Sequence, residues 1–304
     1  MPPTPVPPTQ AGHTKAVTEI ITASRQIEGG GFEVFRPFPG PARMDLDPFL
    51  LLDEMAPKHH APGSDPVGAP AHPHRGFETV TYVLQGEAEH RDSAGNHGII
   101  GPGDVQWMTA GDGIVHSEMP SDRIRAEGGV GHGLQLWVNL PAEHRRTQPA
   151  YQALPAEELA EVAGDGWRAV VVAGSFFGVT GPARTHTPIG VARLHLEPGV
   201  TVPISVDDGH VAAIYVYGGT VELANDHTAG AQDLVVFDRV AGEMVITAGT
   251  ESAVDAFVLT GQPIGEPIAR YGPFVMNTKA EIEEAIRDFQ AGRMGAIEPA
   301  RSHR

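Results

Sequence analysis

Thirty-seven glycines and 27 prolines interrupt a chain of 304 residues. Punctuation at that density suits short strands joined by tight turns and leaves little room for long helices. From Phe32 onward, apolar runs alternate with turn signals roughly every 8 to 12 residues, the spacing of a sandwich or barrel. Residues 77–84, 103–109 and 134–140 read as strands, with turns at Ser93-Ala94-Gly95 and Gly101-Pro102-Gly103. An all-β architecture is expected. Residues 152–166 become polar and rich in Ala and Glu, which predicts a linker or short surface helix and a domain boundary. At about 100 to 200 residues per domain, the length predicts two domains, 13–150 and 151–304. Five prolines within residues 1–10 predict a disordered tail over residues 1–12.

The second half repeats the first. TYVLQGEAE at residues 81–89 aligns with IYVYGGTVE at 214–222, an offset of 133, and Thr109-Ala110-Gly111 aligns with Thr247-Ala248-Gly249, an offset of 138. Two matches in the same order, with an indel between them, predict a duplicated β-domain. One helix closes the chain: Thr278 and Glu281 form a capping-box pattern, Ile282, Ile286 and Phe289 follow at i, i+4 and i+7, and Gly292 stops it. Its apolar stripe is expected to pack on one of the two barrels, and it is placed with the second domain.

Composition narrows the chemistry. Thirty-eight acidic against 21 basic residues leave a net charge of -17, without the basic clusters that phosphate contacts require, so no direct nucleic-acid partner is expected. With no cysteine, disulfides, thiolate metal sites and Cys nucleophiles are excluded, and any metal must be held by His and carboxylate. No apolar run approaches the ~20 residues needed to span a bilayer, and no export signal opens the chain, so a soluble, cytoplasmic protein is expected. G-x-S-x-G, Walker and H-E-x-x-H templates are absent. Gly128 to Gly133 reads as a turn before a strand rather than a phosphate loop.

The informative stretch is 71–120. His72-Pro73-His74 places two imidazoles at i and i+2, on the same face of an extended strand, and His116-Ser117-Glu118 repeats the spacing with one imidazole and one carboxylate. If the two strands face each other across a barrel, they assemble a three-His, one-carboxylate set, which suits a six-coordinate transition ion with two open positions.

HPHRGFETVTYVLQGEAEHRD (72–92) and GDVQWMTAGDGIVHSEMP (103–120) resemble the pirin branch of the bicupin superfamily, as do DPFLLLDEM (47–55), GLQLWVNLP (133–141) and GPFVMNT (272–278). The resemblance implies two stacked cupin (jelly-roll-type) barrels. It implies one Fe2+, or another divalent transition metal in its place, held in the first barrel by His72, His74, His116 and Glu118, with a second barrel that holds no metal. At the offsets above, the equivalent positions in the second half are Ser205, Asp207, Val254 and Ala256. The family likeness further implies cleavage of a flavonol such as quercetin by O2, yielding carbon monoxide and a ring-opened ester. Glu118 is then the expected catalytic base, because a carboxylate at the metal reaches a hydroxyl arriving beside it. Phe77, Val80 and Trp107 are candidates to line a pocket for a flat ring. Other family members imply the alternative, a non-enzymatic, iron-dependent, redox-sensing transcriptional co-regulator that acts through a protein partner. Glu78 is read as a residue hydrogen-bonded beside the metal ligands or in the barrel wall, and Arg75 as either a neighbouring cation or a surface residue. His59, His60, His90, His97 and His132 lack a partner at ligand spacing and are expected in turns or in solvent, and His195 and His210 are expected to be solvated or hydrogen-bonded.

Overall fold

The structure is a computed structural model and describes residues 13–28, 30–64 and 67–297; the proline-rich tail expected over residues 1–12 lies outside them. The strands begin with β1 (Val17–Thr22), β2 (Ser24–Glu28), β3 (Phe32–Phe38), β4 (Phe49–His60), β5 (Ala69–His74), β6 (Phe77–Gln85), β7 (Ala88–Asp92) and β8 (His97–Ile100). They continue with β9 (Val105–Thr109), β10 (Ile114–Pro120), helix α1 (Asp122–Glu127), β11 (Gly129–Asn139), β12 (Ala150–Leu154), β13 (Ala160–Gly164) and β14 (Trp167–Ala173). After β15 (Ser175–Phe176) and β16 (Val179–Thr180) come β17 (Ile189–Leu196), β18 (Thr201–Val206), β19 (Val211–Gly218), β20 (Thr220–Glu222) and β21 (Thr228–Gly230). The chain ends with β22 (Asp233–Phe237), β23 (Gly242–Ala248), β24 (Val254–Gly261), β25 (Ala269–Tyr271), β26 (Phe274–Met276) and helix α2 (Lys279–Gln290). Among the described residues no helix is long and apolar enough to cross a membrane.

Two compact units result. One unit carries the sheets β12-β9-β6-β11-β4-β3-β2 and β5-β10-β7-β8; the other carries β1-β22-β19-β24-β17-β14-β13 and β18-β23-β20-β21. Strand for strand the two orders are the same, β6 matched by β19, β9 by β22, β10 by β23 and β11 by β24. The Tyr-Val pair of the sequence repeat falls on β6 and β19, where Tyr82 and Tyr215 are both buried. Each unit is thus a jelly-roll-type barrel of antiparallel strands.

The units are not consecutive along the chain, which corrects the expected domain limits. Residues 13–23 and 46–48 belong with the second-half barrel, and residues 264–297, α2 included, belong with the first-half barrel. Local pattern marks a strand or helix, but docking is decided by which surface is open to it. β1 pairs along the edge of β22, and α2 sets Ile282 and Ala285 against Val115, Phe274 and Met276. The capping box forms as expected: Thr278 Oγ1 accepts from the Glu281 N–H and Glu281 Oε2 accepts from the Thr278 N–H at 2.8 Å. The apolar stripe is narrower than its spacing predicts, since Phe289 remains 40% exposed.

Two further expectations are corrected, the first in part. Residues 152–166 are strand at both ends, where β12 pairs with β9 and β13 with β14, but a short 3-10 turn at Ala156–Glu158 joins them and the two units divide there, as expected of a surface connection at a boundary. Gly129 to Gly133 is already strand β11, pairing with β4.

The register of the repeat also differs from the sequence offsets. Ser205 and Asp207 are exposed, and the buried residues of β18 are Val202, Ile204 and Val206. Val254 and Ala256 lie on β24, the counterpart of β11, and not on β23, the counterpart of the strand bearing His116. A one-residue slip moves every side chain to the opposite face, so an offset taken across an indel names the wrong residues. Val202, Ile204, Val206, Met244 and Ile246 instead fill an apolar core.

Truncating Ile282, buried at 6% exposure, to Ala should cost about 2–4 kcal/mol by leaving a cavity under α2. Phe289→Ala should cost less than half as much. Urea unfolding midpoints of the two variants check the ranking.

Candidate metal centre

His72 and His74 lie on β5, and His116 and Glu118 on β10. These strands are hydrogen-bonded neighbours in one sheet, rather than facing each other across the barrel, with His116 opposite His72 and Glu118 beside Ala69. On the other side of β10, His116 pairs with Asp92 and Glu118 with His90. The i, i+2 spacing sends the imidazoles of β5 inward together, and cross-strand pairing brings the third ring to them.

His72 Nε2 lies 3.0 Å from His74 Nε2 and 3.0 Å from His116 Nε2. His72 Nδ1 donates to the Pro70 carbonyl at 2.7 Å and His74 Nδ1 to the Pro273 carbonyl at 3.2 Å. A carbonyl can only accept, so both rings carry their proton on Nδ1 and turn bare Nε2 lone pairs toward each other. Burial, reinforced by the neighbouring imidazoles, holds His74 and His116 well below the ordinary histidine range and keeps both rings neutral near pH 7. With His116 Nε2 meeting these two bare nitrogens, the three rings offer the kind of imidazole donor set that a borderline divalent ion takes. The residues present therefore fit a metal.

Glu118 stands next to this trio but is held differently. Its Oε1 accepts from Thr81 Oγ1 at 2.7 Å and from Gln106 Nε2, and its Oε2 accepts from Gln135 Nε2 at 2.7 Å. Its carboxylate groups closely with His90 and His116, whereas the close imidazole trio is His72, His74 and His116. His90, expected in solvent or a turn, is fully buried: its Nε2 lies 3.1 Å from Asp92 Oδ2 and its ring stacks on Tyr151 at 4.8 Å. The missed signal was His90-x-Asp92, which repeats the i, i+2 spacing of the other two motifs. His132 is likewise withdrawn from solvent, 3.0 Å from Glu54 Oε1.

His72 and His74 open on a cavity of about 800 Å³, with His116 buried behind them. Leu51, Met55, Val83, Trp137 and Val275 give it apolar walls, and Thr81, Gln135 and Glu118 give it polar ones. Of the aromatics expected to line a pocket, Phe77 packs behind the site, 5.0 Å from His74 and 4.3 Å from Trp137. Val80 and Trp107 pair on the opposite face of the sheet from Thr81 and Gln106, so Trp137 takes the expected place. Glu78 shares that opposite face, accepting from Thr109 Oγ1 at 2.7 Å, which makes it a residue of the barrel wall. Arg75 is not a surface residue but a buried cation next to His74, bonded to Asp288 on α2.

A two-sheet barrel with an inward cluster of imidazoles, followed in the same chain by a second barrel of identical strand order, defines a bicupin. The pirin family model matches residues 31–138, and the model of the pirin C-terminal cupin domain matches residues 191–295. The chain belongs to the pirin family. It is 42% identical over 277 residues to a Pseudomonas aeruginosa protein that carries the provisional name quercetin 2,3-dioxygenase, covering 89% of this chain and 95% of that one. It is 39% identical over 290 residues to pirin of Homo sapiens, covering 93% and 95%. The crystal structure of quercetin 2,3-dioxygenase from Acinetobacter baumannii superposes with a TM-score of 0.88 at 39% identity, covering 94% of this chain and all of that one.

Two outcomes are expected here. A His72→Ala, His74→Ala variant should stay folded by circular dichroism and bind close to no metal by elemental analysis; retention of one equivalent per chain would place the site elsewhere. Burial raises the Glu78 carboxyl from 4.5 to about 7. The folded chain then keeps a proton that the unfolded chain releases, so stability falls as pH rises from about 4.5 to 7. Glu78→Gln should remove that fall, gaining on the order of 3 kcal/mol over the wild type above pH 7 in urea titrations.

Proposed function

We propose that this protein is an iron-dependent dioxygenase that opens a flavonol such as quercetin, with the metal held by His72, His74, His116 and Glu118. The convergence of three imidazole nitrogens, two of them on rings that line the 800 Å³ cavity, carries the reading. The names of the Pseudomonas and Acinetobacter relatives support the substrate class. The volume falls within the range of about 300–1,000 Å³ common for small-molecule pockets. When bound, iron supplies a Lewis-acid centre that favours an ionised substrate hydroxyl and a redox centre for O2.

The protein's own groups do the rest. The apolar walls at Leu51, Val83 and Trp137 receive a flat ring and displace water from it. Thr81, Gln106 and Gln135 keep the Glu118 carboxylate in one orientation through neutral donors. Glu118 then accepts the substrate hydroxyl proton on a carboxylate oxygen as the catalytic base. The Pro70 and Pro273 carbonyls hold two of the rings in the tautomer that a metal requires.

Iron-loaded protein given quercetin should consume oxygen as the flavonol absorbance band disappears. Full metal occupancy without turnover above that of free iron would favour the regulatory reading. Glu118→Gln should lower turnover by about 100-fold or more, the usual scale of general-base catalysis, while reducing metal occupancy less, because an amide oxygen can still face a metal but cannot take the proton. A wild-type rate at full occupancy would remove Glu118 from the chemistry.

A further inference from the structure

The metal-bearing strand is held in place by a part of the chain some 200 residues away in sequence. His74 Nδ1 donates to the carbonyl of Pro273, in the turn between β25 and β26. That hairpin is tied to the residues just after His74: the Val275 N–H donates to the Arg75 carbonyl at 3.1 Å, and Arg75 bridges to Phe274. Buried Arg145 donates to the Gly76 carbonyl at 3.0 Å and to the Val275 carbonyl at 3.2 Å, joining both segments. Gly76 adopts φ +88°, and a Cβ there would lie 1.9 Å from Val275 O, so only glycine permits this approach.

The side chain of Arg75 makes the second tie. It is 2% exposed, and its Nη1 donates to Asp288 Oδ2 on α2 at 2.7 Å while Nε donates to the Asp112 carbonyl at 2.6 Å. Arg293 donates to the other oxygen of Asp288, at 2.8 Å through Nε. The Asp112 carboxylate lies 3.7 Å from Nη2, but Asp288 is the closer counter-charge, and a guanidinium this deeply buried is costly without it, so Arg75 favours α2 in this place. The other ligand strand is braced too: Val115, next to His116, packs with Phe274, Met276 and Ile282.

We propose that Arg75 and Asp288 are positioning residues of the metal site, clamping the C-terminal segment so that the Pro273 carbonyl fixes the His74 ring, and that metal binding and docking of residues 264–290 are therefore linked. This rests on the reading that the three imidazoles hold a metal. It does not rest on dioxygenase turnover. Linkage is reciprocal: whatever the docked segment adds to metal affinity, the metal returns to docking. Groups that orient a metal-bound histidine typically change affinity by about 10–100-fold when removed.

Cobalt(II) titration, followed by its visible absorption, reads both affinity and ligand geometry. Asp288→Ala should weaken Co2+ binding by roughly tenfold and alter the absorption bands. Asp288→Glu should recover most of the affinity. Glu284→Gln, which removes only the exposed ion pair of α2 with Arg146, should change neither. In the wild type, Co2+ should slow amide hydrogen exchange across residues 273–289. A folded Asp288→Ala protein with wild-type affinity and spectrum, or exchange in this segment that is indifferent to Co2+, overturns the clamp. Should Asp288→Ala fail to fold, the wild-type exchange measurement decides alone. Wild-type protein that binds no Co2+ at all would instead remove the metal site itself, and the clamp with it.

Discussion

Three imidazoles are pressed together inside a β-barrel, with His72 Nε2 3.0 Å from the Nε2 atoms of both His74 and His116, a crowding of nitrogens that a positive ion among them would relieve. Such an arrangement persists only where the surrounding backbone dictates it. Here the Pro70 and Pro273 carbonyls choose the tautomer of His72 and His74, the β5–β10 pairing sets the spacing, and burial disfavours protonating His74 and His116. Much of the first-half unit follows from this constraint. Glu118 is held by neutral donors from β6, β9 and β11, and the strand end after His74 is closed by a glycine and a buried arginine.

The second-half unit shows what the same strand order does without that constraint. Val202, Ile204, Val206, Met244 and Ile246 occupy the corresponding strands and join a continuous apolar cluster. Burying a polar group costs several kcal/mol unless it is fully hydrogen-bonded or bound. A barrel interior therefore tends toward one of two solutions, either a satisfied polar site or a dry core. The two halves of this chain have taken one each on a shared framework.

The C-terminal segment gives the duplication its asymmetry. Its chain follows the last strand of the second-half barrel, yet its hairpin and helix complete the floor beneath His74. The cavity borrows Pro273 and Val275 from it. A site built by segments so distant in sequence forms only when the C-terminal segment has joined the first-half unit.

Much was legible in the residues themselves. Spacing at i, i+2 in His72-Pro73-His74 and His116-Ser117-Glu118 set which side chains share a face, because a strand alternates by two whatever surrounds it. The Thr278-Glu281 capping box marked the start of α2, since capping is satisfied within four residues. Tyr82 and Tyr215 marked the repeat. Tertiary structure decided the rest: that His90 is buried beside Glu118, that Val80, Trp107 and Glu78 turn away from the cavity, that Arg75 reaches Asp288, that β1 and α2 dock across the halves, and that Ser205 and Asp207 point outward. Each depends on partners remote in sequence, on the register of a sheet or on an open edge. Local pattern is blind to these because a one-residue slip leaves the pattern intact and reverses every side chain.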